Sequence, residues 1–194
     1  VNRKTTGYIV AALVIGAMVV MMVKTKLDKP EPIVLSADDQ AAIEAMDSLP
    51  GLKKGEMPPD FELTTLEGET VRLSELKGTK VVLNFWGSWC PPCKAEMPHM
   101  QKYYKKSAEK DNVEILAVNL TSGEKKGLPA VEQFVKAYGL TFPIPLDETG
   151  ALLQQYQVMI IPTTYFIGTD GVIAHRHVGA LDEKMLKGLV QGMN

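Results

Sequence analysis

Hydrophobic and polar positions follow several distinct rhythms along this chain. The first is an unbroken apolar run, Gly7 to Val23 (GYIVAALVIGAMVVMMV), with no charge in its seventeen residues. That length lies at the short end of the roughly 17–25 residues that cross a bilayer as a helix. Arg3 and Lys4 precede the run, and Lys24 and Lys26 follow it, which argues against a buried core helix. The exit, MMVKTKLDK, has no small-x-small cleavage pattern and no cysteine to carry a lipid. The run therefore reads as an uncleaved transmembrane signal anchor, residues 7–23, behind a cytoplasmic tail, residues 1–6. Basic residues balance on its two sides, so charge does not set the orientation. A short tail before a large domain normally leaves that domain outside.

Residues 24–54 read as a linker with a short helix. Pro30 and Pro32 keep its first part extended. Ser36 then suits an N-cap, with Asp38 and Asp39 favoured by the helix dipole. Ala42, Ile43 and Met46 give a weak apolar stripe, ended by Pro50-Gly51.

From residue 55 to 194 the pattern is that of a single α/β domain. Phe61, Leu63, Val71 and Leu73 alternate with polar residues around LEGE, which predicts a β-hairpin. KVVLNFW (Lys80 to Trp86) and VEILAVNL (Val113 to Leu120) are continuous apolar runs, suited to strands buried on both faces. Pro91 to about Lys110 reads as a helix that Pro98 should kink. Pro129 to Tyr138 is helical in period, with Gly139 as its stop. A short strand is expected at Phe142 to Leu146 and a short helix at Ala151 to Tyr156. Thr163 to Ile167 and Val172 to Val178 read as strands joined by a turn at Asp170-Gly171, and Leu181 to Met193 as a closing helix. Strands alternating with helices predict a sheet with helices on both faces.

Composition adds exclusions. Hydrophobic residues make up 45% of the 194 and charged residues 23%, a globular balance. A net charge of -2 gives no footprint for nucleic acid. Two cysteines make neither a disulfide scaffold nor a four-sulfur zinc site. A Cys2His2 site would need two of His99, His175 and His177. His175 and His177 alternate on a strand-like run, which reads as a solvated strand face, so no metal is expected.

Both cysteines, Cys90 and Cys93, stand in WGSWCPPCKAEMP, after a strand and at the start of a helix. Orphan N–H groups and the positive end of the dipole favour a thiolate at Cys90. The thiolate is the attacking form, so Cys90 is the expected nucleophile. Cys93, one turn on, is placed to close a disulfide and to act as the resolving thiol. A structural staple is a weaker account, because closing so short a loop removes little chain entropy. Trp86 and Trp89 fit an exposed reactive corner. Glu96 shares the helix face of Cys93. It is either an exposed helix carboxylate or a buried proton carrier of raised pKa, and spacing does not decide. Pro162, before a strand, is either a tight-turn proline or a cis-proline facing the cysteines.

WCPPC after a buried strand, with IPTTYFI some seventy residues later, resembles the thioredoxin superfamily. FELTTLEGETVRLSELKGTKVVLNFWGSWCPPCKAEMP is similar to its membrane-anchored, extracytoplasmic ResA, TlpA and CcmG group. The resemblance covers residues 55–194 and implies a thioredoxin-like fold with an N-terminal β-hairpin and a central helical insertion near 129–138, preceded by one transmembrane helix. It implies that Cys90 and Cys93 are the redox pair, the only redox group needed, with Glu96 the carboxylate beside it and Pro162 the cis-proline. It assigns substrate contact to Trp89, Pro91, Pro92, Ile161, Pro162 and Thr163. Asn84 departs from cytoplasmic thioredoxins, which carry an acid there, and Pro91-Pro92 departs from the Glu-Pro of ResA. The implied activity is reduction of disulfides in exported proteins, such as apocytochrome c CxxCH sites or, as in StoA, spore-envelope proteins. A CcdA-type membrane protein would donate the electrons, and the domain would sit on the extracytoplasmic side of the cell membrane. Competing readings are an oxidant of secreted proteins, a thiol peroxidase and a copper-handling module using His175.

Overall fold

The computed structural model describes residues 49–193. The anchor, and the helix expected between Ser36 and Met46, lie outside the described residues. No helix among the described residues is long and apolar enough to cross a membrane.

The hairpin forms as the alternation predicts. Strand β1 (Glu62–Thr64) pairs antiparallel with β2 (Thr70–Arg72), with Leu63 opposite Val71. Its turn passes through Gly68 at a φ of 86°, a left-handed conformation that glycine adopts without a Cβ penalty. Phe61 and Leu73 flank the hairpin and are buried.

The main sheet has the order β4-β3-β5-β6, from β3 (Lys80–Trp86), β4 (Val113–Asn119), β5 (Thr163–Ile167) and β6 (Ile173–Val178). β3 runs parallel to β4 and antiparallel to β5. Six of the seven β3 residues are buried, because helices cover both faces of this strand. Val82 and Trp86 point into a core shared with α1 (Pro91–Tyr103), α2 (Leu128–Tyr138) and α4 (Glu183–Gln191). Val81, Leu83 and Phe85 point the other way, onto the hairpin flank and the core around α3 (Ala151–Gln155). There Phe85, Tyr156 and Tyr165 meet with centroids 5.4 to 6.2 Å apart. Trp86 belongs to the first of these two cores, against Phe134 of α2, rather than to an exposed corner. It is fully buried, and its indole N–H donates to the Ala117 carbonyl at 3.0 Å.

Three expected elements take a different form. The strand expected at Phe142 to Leu146 is reduced to isolated bridges, Thr65 with Pro145 and Asn119 with Leu146. Pro143 and Pro145 carry no N–H, so the segment cannot donate at alternate residues. It still accepts from Ala117 and Asn119 and donates from Leu146 to Thr64, which ties the hairpin to β4. The long helix leaves α geometry after Tyr103 and finishes as a π turn, Tyr104–Ala108. It runs through Pro98, whose ring removes the N–H that Lys94 would otherwise receive. The closing helix starts later than expected, capped by Asp182, whose carboxylate accepts from Met185 N–H at 2.7 Å. By contrast α2 stops where expected, at Gly139 with a φ of 60°.

Candidate active site

β3 delivers the chain to one end of the sheet, and α1 begins five residues later, at Pro91. Cys90 is the N-cap of α1, in extended backbone, with Pro91 and Pro92 in the first turn. Those prolines suit the positions sterically, since the first N–H groups of a helix have no internal partner. They also remove two of the donors that an N-terminal anion would use. What remains is the Cys93 N–H, which points at Cys90 Sγ from 3.3 Å. Cys90 and Cys93 are joined in a disulfide, with Cα atoms 5.3 Å apart. Cys93 is wholly buried and Cys90 keeps 3% exposure, so an incoming group reaches the pair through Cys90.

The wall opposite comes from the start of β5. The Ile161–Pro162 peptide bond is cis, and the Ile161 carbonyl oxygen lies 3.8 Å from Cys90 Sγ. The Pro162 carbonyl is taken by Gly179 N–H at 2.8 Å. Thr163 is buried, and its hydroxyl donates to the Ile160 carbonyl at 2.6 Å, so it holds this turn and does not face outward. Met159 and Ile160 are exposed on one side of the turn. Trp89, 51% exposed, flanks the cysteines on the other, and Pro91 and Pro92 are exposed between. Gly87 lies under the Trp89 ring, where a Cβ would come within 2.9 Å of the indole. The structure thus gathers Trp89, Pro91, Pro92, Ile161 and Pro162 around Cys90.

Glu96 is fully buried, on the inward face of α1 that also carries Cys93 and Met97. Its Oε1 accepts from Asn84 Nδ2 at 2.9 Å, and its Oε2 accepts from Leu181 N–H at 3.1 Å. Burial raises its pKa from 4.5 to about 7, against the lowering effect of these two donors. Asn84 also donates to Thr164 Oγ1 at 2.9 Å, across the β3–β5 pairing. Its own Oδ1 has no partner among the described residues. A carboxyl poised near neutrality, on the same helix as Cys93, can take up or release a proton when the cysteines change state.

One residue escapes the sequence reading. Glu124 is buried behind the Cys90 loop and holds it. Its Oε1 accepts from Ser88 N–H at 2.7 Å and from Asn119 Nδ2 at 3.0 Å, and its Oε2 from Ser88 Oγ at 2.5 Å. In sequence it sits in TSGEKK, which reads as a solvated loop. Only the three-dimensional approach of Ser88, 36 residues earlier, distinguishes it.

His175 and His177 lie on β6, partly buried, with pKa values lowered chiefly by desolvation. No group of three or more metal-binding side chains occurs among the described residues.

Residues 55–176 match the AhpC/TSA family model. The thioredoxin-like protein YneN of Bacillus subtilis is 45% identical over 71% of this chain and 78% of its own length. The thiol-disulfide oxidoreductase ResA of Oceanobacillus iheyensis is 46% identical over 69% of each. The crystal structure of StoA from Bacillus subtilis superposes with a TM-score of 0.62 at 38% identity, over 72% of this chain and 98% of that one. With an N-capping Cys90 paired to Cys93 on a thioredoxin-like sheet, the chain belongs to the AhpC/TSA family and is a thiol-disulfide oxidoreductase of the ResA and StoA type.

Proposed function

We propose that this oxidoreductase works as a reductant of disulfides in exported proteins, with the CxxCH sites of apocytochrome c as its most direct substrate. The observation that carries the direction is the helix N-terminus. An oxidant needs a strongly stabilised thiolate in its reduced form. Here Pro92 removes the N–H that an N-capping sulfur would share with that of Cys93, and a buried carboxyl, Glu96, sits on the same helix. Both disfavour the thiolate and so favour giving electrons away.

The step balances as follows. The Cys90 thiolate attacks one sulfur of the substrate disulfide, and the other substrate sulfur leaves as a thiolate and takes a proton. Cys93 loses its proton, to which Glu96 is suited by its pKa, and attacks Cys90 Sγ. The second substrate thiol departs, and the protein is left with the Cys90–Cys93 disulfide. Two electrons pass to the substrate. A membrane dithiol donor of the CcdA type restores the pair. Residues 7–23 serve as the anchor, residues 24–54 as the linker, and the domain from residue 55 onward faces the extracytoplasmic side.

The test is a trap. A reduced Cys93→Ser protein, mixed with an oxidised CxxCH peptide, should accumulate a mixed disulfide at Cys90 by intact mass, and Cys90→Ser should not. The reading fails if no adduct forms, or if the reduced wild type consumes hydrogen peroxide faster than it reduces the peptide. The second result would move the chain to peroxide chemistry.

A further inference from the structure

Beside the redox pair, on the side of Trp89, a groove of about 530 Å³ opens between the Cys90 corner and α2. Trp89 forms one wall, held over Gly87. Phe134 and Tyr138 belong to the other, stacked with centroids 4.4 Å apart. Lys94, Lys125 and Lys126 line the groove and are exposed. None of the three makes an ion pair among the described residues, where the ion pairs are Arg72 with Glu62 and Glu75, and Lys102 with Glu183. The one carboxylate in the lining is Glu124, and both its oxygens are occupied by Ser88 and Asn119. The groove is therefore cationic on a chain whose net charge is -2.

We infer that this groove docks an extended, acidic segment of the protein substrate, next to the disulfide that Cys90 attacks. The inference rests on the reductase reading and names its substrate preference. Charge complementarity selects the occupant. Three ammonium groups with no ion pair among the described residues line this concave surface, and carboxylates on an extended segment can meet them while aromatic or aliphatic residues lie on Trp89 and Tyr138. Continuity with the site sets the register. Trp89 precedes Cys90 directly and Lys94 follows Cys93 directly, so a peptide lying here runs past the attacking sulfur.

The experiment has two arms on the full chain in neutral detergent. In the first, fluorescent cysteine-free peptides of equal length, acidic, neutral or basic, are titrated and read by anisotropy at low and physiological salt. The acidic peptide should bind about tenfold tighter than the basic one at low salt, and the preference should shrink with salt. The double substitution Lys125→Glu, Lys126→Glu should abolish it. In the second, kcat/KM is measured for one disulfide peptide with acidic or neutral flanks. The acidic-to-neutral ratio should fall from about ten to one or below in the double variant. Equal binding of all three peptides, or a preference that survives the double substitution, overturns the proposal. So does acidic-peptide binding that anionic phosphatidylglycerol vesicles displace while disulfide peptides do not, which would assign the groove to a lipid surface. If neither disulfide peptide is reduced, the reductase reading fails, and the anisotropy arm still decides the groove.

Discussion

At the scale of single residues, the site turns on Glu96 and its partner Asn84. Desolvation holds the Glu96 pKa near 7 against an ordinary 4.5. Between these values the folded protein binds a proton that the unfolded chain does not. Its contribution to stability is thus full below pH 4.5 and is lost as the pH rises through 7. At 1.36 kcal/mol per pH unit the loss is about 3 kcal/mol. Urea unfolding of the oxidised wild type and of Glu96→Gln, at pH 5 and pH 8, checks this. The variant should lack that part of the decline, and the pH dependence of Cys93 reactivity should shift with it. An identical decline in both proteins would make Glu96 an ordinary carboxylate. Spacing alone showed that Glu96 shares a face with Cys93. It could not show burial, because the groups that bury and bind it come from β3 and from the lead-in to α4. Glu124 was still less legible, since its partners lie on two separate segments of the chain.

At the scale of elements, the N-terminus of α1 does the chemical work. Strand, cysteine N-cap and first-turn prolines could all be read from NFWGSWCPPC, because each has a local physical signature. Substituting Pro92→Ala restores a main-chain N–H at the second helical position without adding charge. A second donor to Cys90 Sγ is worth about 1 kcal/mol. The Cys90 pKa should drop by about 0.7, and the potential should become about 20 mV less negative. Thiol titration by alkylation rate measures the first and a redox-buffer equilibrium the second; an unchanged pair would contradict the idea that the missing Pro92 N–H sets the direction of electron flow. The elements read least well are those shaped by neighbours. Phe142 to Leu146 alternates like a strand, yet Pro143 and Pro145 deny it a full ladder. The π turn after Tyr103 has no signal in the local pattern.

At the scale of the whole molecule, the domain was legible because its central strands are buried on both faces and announce themselves as apolar runs. The hairpin, α2 and the β5–β6 pair fall where turn residues and periodicity put them. The residues that meet around Cys90 come from segments some seventy positions apart, and the sheet brings them together by pairing β3 with β5. This explains why Pro162 was readable only through resemblance: no local rule links it to Cys90. The proposed anchor, linker and outside location give the redox direction its meaning. Outside the cytoplasm a dithiol stays reduced only if it is continually supplied with electrons.

The measurement that tests this account most directly is the reduction potential of the Cys90–Cys93 couple, equilibrated against dithiothreitol or glutathione buffers. The account predicts a value near that of thioredoxin, about -270 mV, for a pair that gives electrons. A value near -120 mV, the range of a strong oxidant such as DsbA, would contradict it and reverse the direction of the proposed function.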